Sequence, residues 1–161
     1  TGVFNMHTTG TVTVNNGGRF SPGSSPGMMT INGSTTLNAG STFEFEYTGG
    51  GSGASTDLVD VNGTLTLNGG ILSLIDLGTY TMGDKFTLFA YESISGTFAG
   101  LSDDSIFNTN GGDWLVNYDD TTPGLNGGSG AGYVTLTAVP EPGAALLGGL
   151  GVLALLRRRR K

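Results

Sequence analysis

Few residues in this 161-residue chain are equipped for chemistry, and their spacing limits what that chemistry could be. His7 is the single histidine and cysteine is absent, so no histidine-based triad, multi-histidine centre, thiolate metal site or disulfide can be assembled. Adjacent acids stand at Asp103-Asp104 and Asp119-Asp120. Paired carboxylates serve glycoside hydrolysis only when a defined distance separates them across a cleft. Neighbouring acids in a loop are more often solvated turn residues. Calcium is the sharper alternative, because a hard cation takes clustered carboxylate and carbonyl oxygens. Asn108-Thr109-Asn110-Gly111-Gly112-Asp113 and Gly127-Gly128-Ser129-Gly130 have that character, but neither keeps a Gly-Gly-x-Gly-x-Asp order over successive copies. The Gly-rich stretch over residues 49–55 is no phosphate loop, since no Lys-Ser/Thr follows it. Asn32-Gly33-Ser34 and Asn62-Gly63-Thr64 fit the glycosylation sequon, yet turn chemistry explains them without a sugar. The chain therefore reads as a non-enzyme, with no catalytic residue, cofactor or metal site.

The C-terminus carries a sharper signal. Val139-Pro140-Glu141-Pro142 is followed by residues 143–156, a run of 14 without a polar side chain, and then by Arg157, Arg158, Arg159, Arg160 and Lys161. Prolines lack an N–H and fix φ, so regular structure from upstream should stop there. A full membrane span wants about 20 apolar residues. Basic side chains at one end can snorkel toward head groups and extend a shorter span. Positive charge directly after an apolar run also holds that end in the cytoplasm, which would leave the body outside. Charge is distributed accordingly. Residues 1–139 hold two bases against twelve acids, a net charge near −10, whereas residues 140–161 hold five bases against one acid. So acidic a body does not suit nucleic acid, which needs a basic footprint.

This three-part order closely resembles the PEP-CTERM sorting signal of Gram-negative bacteria. The resemblance covers the last 23 residues. It implies an exosortase partner that recognises Pro140, Glu141 and Pro142 and cleaves near them. Residues 143–156 would then be a helical, transient anchor in the cytoplasmic membrane, with Arg157, Arg158, Arg159, Arg160 and Lys161 as the cytoplasmic stop. The family also associates such proteins with extracellular polysaccharide. The chain opens on Thr1 with no apolar stretch nearby, so the N-terminal part of an exported protein is expected to be missing.

The elements upstream must position this tail. Gly is abundant at 30 residues, 37% of the chain is apolar and only 12% is charged; without a Gly-X-Y period collagen is excluded. The length suffices for one domain with a core. Gly10-Thr11-Val12-Thr13-Val14-Asn15-Asn16-Gly17 matches Gly33-Ser34-Thr35-Thr36-Leu37-Asn38-Ala39-Gly40 and Gly63-Thr64-Leu65-Thr66-Leu67-Asn68-Gly69-Gly70. The offsets are 23 and 30, and the difference of seven equals the flexible insert over residues 49–55. Such a period predicts stacked units of short strands joined at Asn and Gly corners. Leu37 and Leu67 should be parallel neighbours pointing into one core with Val14 beyond, while Thr36 and Thr66 face the other side. No helical periodicity appears before residue 140.

The stretch from about residue 10 to 100 also resembles the β-helical passengers of autotransporter-like surface proteins. It does so through Phe20-Ser21-Pro22-Gly23-Ser24-Ser25-Pro26-Gly27, Asp57-Leu58-Val59-Asp60-Val61-Asn62-Gly63-Thr64-Leu65, and Gly83-Asp84-Lys85-Phe86-Thr87-Leu88-Phe89 with Gly96-Thr97-Phe98. That implies an all-β body over residues 1–139, a right-handed parallel β-helix, ahead of a sorting tail at 140–161. Trp114-Leu115-Val116-Asn117-Tyr118 and Tyr133-Val134-Thr135-Leu136-Thr137-Ala138-Val139 read as closing strands. An antiparallel sandwich or jelly roll is the alternative. The expected function is an exported structural or adhesive surface protein, transiently anchored and then surface-attached or secreted. Its rivals are a polysaccharide-degrading enzyme with catalytic residues upstream, and a matrix module that polymerises through strand edges.

Overall fold

The computed structural model describes residues 2–4, 10–23, 26–48, 55–109 and 112–140, the first three by their backbone alone. Among the described residues every regular element is a strand, and the chain is all-β. The strands are β1 (Gly2–Phe4), β2 (Thr11–Val14), β3 (Arg19–Phe20), β4 (Met28–Ile31), β5 (Ser34–Asn38), β6 (Thr42–Thr48) and β7 (Ser55–Thr56). They continue as β8 (Leu58–Asn68), β9 (Ile71–Asp76), β10 (Lys85–Thr97), β11 (Ser105–Thr109), β12 (Gly112–Asp120) and β13 (Gly132–Val139). The expected C-terminal helix, like His7, lies outside the described residues.

Two mixed sheets form. The larger runs β1-β4-β8-β10-β13-β12-β11, with β5 pairing both β2 and β8; the smaller joins β3, β6 and β9, with β7 also on β6. The repeats set the register of both. Val14 pairs with Leu37 and Leu37 with Leu67, all parallel, at the offsets seen in the sequence. Phe20 pairs with Phe43 and Phe43 with Leu72 in the smaller sheet, again parallel. Long β8 therefore receives β4 along its first half and β5 along its second. The corners stack too, because Gly17 N–H donates to Gly40 O at 2.9 Å and Thr42 N–H to Gly18 O at 2.9 Å. Glycine at the start of each repeat allows a second close approach. A Cβ on Gly63 would lie 2.7 Å from Gly33 O, and one on Gly33 would collide with Gly10 O.

Alternation puts one side of each strand into a core between the sheets. Thr35, Leu37, Leu65 and Leu67 are buried, whereas Ser34, Thr36, Thr64 and Thr66 face outward and are half-buried or exposed. Aromatic rings bridge the sheets: Phe43 lies 4.4 Å from Phe89, and Tyr47 lies 5.2 Å from Trp114, centroid to centroid. The insert is bounded by the antiparallel pair Thr48↔Ser55, so its two ends are held side by side; residues 49–54 lie outside the described residues.

The parallel order does not run on to residue 139. It ends at β10, which carries a fourth copy of the repeat, Ser93-Ile94-Ser95, beside Thr64-Leu65-Thr66. Beyond it β13, β12 and β11 join antiparallel. The reason is local. Thr109 pairs with Gly112, leaving only Asn110-Gly111 between the strands, a two-residue connection whose sequence suits a tight hairpin. Antiparallel pairing needs no long crossover. The expected closing strands thus lie beside the last parallel strand, covering its edge over Lys85–Tyr91.

Candidate functional site

Strand β13 delivers the tail. It is held on both sides, with Leu136 opposite Phe86 of β10 and Val116 of β12. Its last pairs are Trp114↔Ala138 and Asp113↔Val139. A clamp from the chain before β10 fixes the same end: Gly83 N–H donates to Ala138 O at 2.8 Å, and Ala138 N–H donates to Asp84 O at 2.9 Å. Asp84 is itself set by Thr81 N–H, 2.8 Å from its Oδ2. Next comes Pro140, exposed and unable to donate, so the ladder ends at Val139. Of the sorting residues, the structure places Pro140 alone. Glu141, Pro142, the apolar segment 143–156 and the basic residues Arg157, Arg158, Arg159, Arg160 and Lys161 lie outside the described residues. Among the described residues no helix is long and apolar enough to cross a membrane. Beside the exit, Gly83, Asp84, Lys85, Pro123, Gly124 and Leu125 line a depression of about 230 Å³.

The paired acids are bound up in the frame. Asp103 Oδ1 accepts from Tyr118 N–H at 2.8 Å and Asp104 Oδ1 from Asn117 Nδ2 at 2.9 Å. Asp120 takes Lys85 Nζ at 2.9 Å, Thr135 Oγ1 at 3.0 Å and Thr122 N–H at 3.1 Å. Burial alone would raise its pKa, but the Lys85 ammonium and these N–H and O–H donors outweigh it and hold the carboxyl near 2. Burial pushes the Tyr118 phenol up to about 12; its oxygen accepts from Phe98 N–H and donates to Leu101 O. Both calcium-like segments have structural work. Asn108 Nδ2 reaches Asp113 Oδ1 at 2.8 Å across the β11–β12 hairpin. The segment ahead of β13 straps β8 and β10: Asn126 brackets Thr87, bonding its N–H and its C=O, and Ser129 N–H meets Asp60 Oδ1 at 3.1 Å. Among the described residues no three His, Asp or Glu side chains gather as a metal centre.

Two features escaped the sequence reading. Asp57, 1% exposed, accepts Gly27 N–H at 2.7 Å and Glu46 N–H at 2.9 Å. Burial raises its pKa to about 6, against the lowering effect of those bonds. The second is an open groove of about 500 Å³ between β9 and β11, lined by Ile71, Leu72, Leu101 and Phe107 among others. Neither could be found from spacing, because their partners come from strands far apart in the chain.

No curated protein and no solved structure matches this chain, so the autotransporter-like reading of the body gains no support from comparison. Residues 138–161 do match a family model, described as the PEP-CTERM protein-sorting motif. The match begins within the last two residues of β13 and takes in Pro140 and everything after it, so the chain carries a signal for exosortase-dependent export and association with the cell envelope.

Proposed function

We propose that the chain is an exported structural or adhesive surface protein, without enzymatic activity, whose body is a short right-handed β-solenoid presented outside the cytoplasm. Exosortase takes Pro140-Glu141-Pro142 as its recognition sequence while residues 143–156 sit in the cytoplasmic membrane and Arg157, Arg158, Arg159, Arg160 and Lys161 stay inside. Cleavage near the Pro-Glu-Pro then frees the body for attachment to the surface, for association with extracellular polysaccharide, or for release. One observation carries this reading above the others: the sorting-motif match at residues 138–161 coincides with a strand end where Pro140 is exposed. A recognition sequence must be reachable; β13 is clamped up to Ala138, and Pro140 beyond the clamp is exposed. The solenoid reading is supported by four successive parallel segments at offsets of 23, 30 and 29 residues, the first shorter by about the length of the insert. Its hand follows from the strong preference of parallel crossovers for right-handed connections.

Mass spectrometry of the envelope and secreted protein, from a strain with a working exosortase, tests the processing. We expect the mature chain to lack Arg157, Arg158, Arg159, Arg160 and Lys161. Recovery of intact C-terminal peptides from that strain would defeat the proposal.

A further inference from the structure

The outward face of the parallel segments carries a grid of hydroxyl groups. Each of the four copies of the repeat places two of them, one residue apart: Thr11 and Thr13, Ser34 and Thr36, Thr64 and Thr66, Ser93 and Ser95. The register aligns them in two columns. Thr13 pairs with Thr36, Thr36 with Thr66 and Thr66 with Ser95. In the other column Thr11 pairs with Ser34 and Thr64 with Ser93, and Thr64 N–H reaches Ser34 Oγ at 3.2 Å. Between the columns Val12, Thr35, Leu65 and Ile94 turn inward against the core. Neighbouring strands lie about 4.8 Å apart, and alternate residues along a strand about 6.6 Å apart. The Thr13, Thr36, Thr66 and Ser95 column thus forms a lattice row at the strand spacing, whereas in the other column Thr64 Oγ1 and Ser93 Oγ bond each other at 2.9 Å.

The lattice is stiffened from beside and below. Asn38 Nδ2 donates to Asn15 Oδ1 at 3.0 Å, and Asn62 Nδ2 to Asn32 Oδ1 at 2.7 Å, so asparagine ladders flank the columns at both ends. Leu37, Leu65 and Leu67 anchor the strands from the core side at no more than 1% exposure.

Charge selects the partner. The body is acidic, with twelve acids against two bases over residues 1–139, yet no charged residue stands in Thr11–Val14, in Ser34–Asn38 or in residues 64–68 and 93–97. A neutral patch on an acidic body fits a neutral ligand and offers nothing to a polyanion or polycation. No aromatic ring stands on it to receive the apolar face of a sugar; Phe20, Phe43, Phe45, Phe89 and Phe98 are all buried in the core. What the face does offer is two columns of donor-acceptor hydroxyls, five of them on threonines that add a methyl group. Such hydroxyls can bond first-shell water as donor and as acceptor, and ordering that water need cost little entropy. The repeat of hexagonal ice along its short axis is close to the strand spacing.

We propose that this hydroxyl face binds ice, with the lattice of water as its ligand. The inference rests on the strand register and is independent of the tail and of export. The test uses the fluorescently labelled 161-residue chain, with adsorption to an ice hemisphere and shaping of single ice crystals as readouts. The parent chain should coat the ice and facet the crystals. Thr36→Tyr and Thr66→Tyr, in mid-lattice, should lose both effects while keeping the circular dichroism of the parent. Thr42→Tyr, on the outward side of β6 in the other sheet, should keep both. Should a mid-lattice variant fail to fold, Ser95→Tyr on the exposed part of β10 replaces it, with the same loss expected. Absence of adsorption by the parent would overturn the proposal, as would a folded lattice variant that still adsorbs like the parent. Adsorption to microcrystalline cellulose with none to ice would overturn it as well and assign the face to a glycan.

Discussion

At the scale of single residues, Asp57 shows how a buried carboxylate can organise a turn and cost stability at once. Its two oxygens hold Gly27 N–H and Glu46 N–H, and its carbonyl accepts from Asn126 Nδ2 at 3.0 Å. Three distant segments meet on one residue, at sequence separations of 30, 11 and 69, so nothing adjacent in sequence announces it. Folded Asp57 keeps its proton up to about pH 6, whereas the unfolded residue releases it near 3.8. The folded state therefore binds more protons in that interval, and stability falls as pH rises through it. We expect the melting temperature to drop between about pH 4 and about pH 7, with Asp57 contributing ~2 kcal/mol of the change. Asp57→Asn should flatten this slope while lowering overall stability, because an amide presents a donor to one of the two N–H groups. Asp60, raised by burial in the same direction, leaves a residual slope. Asp120 has the opposite sign: its contribution is present above about pH 4 and is lost as pH falls toward 2. Thermal melts of both proteins across this range check the prediction; an unchanged slope in the variant would refute it. Thr35 makes a second case. Its Oγ1 is buried with no hydrogen-bond partner among the described residues, in line with Val12 and Leu65. Thr35→Val should stabilise the chain by about 1 kcal/mol, measured by urea denaturation.

At the scale of elements, the repeat was legible because its meaning is local. Asn and Gly mark each corner, and alternation assigns Leu37 and Leu67 inward and Thr36 and Thr66 outward, which is how they stand. The fourth copy was not legible. Ser93-Ile94-Ser95-Gly96-Thr97 has lost the Val or Leu and the Asn of the others, and Gly96 stands opposite Leu67, where an apolar side chain would be expected. The antiparallel end also escaped, since strand patterning says nothing about which edge a later strand will join. Of the two candidate calcium segments, the one around Asn110-Gly111 carries a hairpin signal, in keeping with the antiparallel pair Thr109↔Gly112. The inward–outward distinction gives a paired test. Leu67→Asp should abolish cooperative unfolding, since it removes a buried leucine worth about 2 kcal/mol and desolvates a charge. Thr66→Asp should shift stability by less than about 1 kcal/mol. Equal effects in chemical denaturation would mean that the two faces are not distinguished as described. Gly63→Ala probes the middle of β8, between its pairings with β4 and β5, where the added Cβ would meet Gly33 O at 2.7 Å and force the stacked segments apart.

At the scale of the whole molecule, the features that matter are an acidic body and a basic end separated by an apolar run. Residues 1–139 carry two bases and twelve acids, and five bases close the chain. The tail was the most legible part of the sequence, because its signal lies in the order of residue types and needs no tertiary partner. The body was legible in class and in register, and less so in how it ends. The proposed anchor is short. As a helix, the 14 residues of 143–156 would reach about 21 Å, against a hydrocarbon core of about 30 Å. Such a segment depends on its flanks: Arg157 and its neighbours must reach the head groups by snorkelling, and their charge opposes passage across the membrane. Neutralising all five, from Arg157 to Lys161, should remove that stop without touching Pro140, Glu141 or Pro142. A reporter fused after Lys161 should then move from a cytoplasmic to an external signal in a strain lacking the exosortase. Using that strain separates topology from cleavage, since the fusion stays attached whatever its orientation. A reporter that remains cytoplasmic would show that the end is held by something other than its charge, and the anchoring half of the proposal would have to be abandoned.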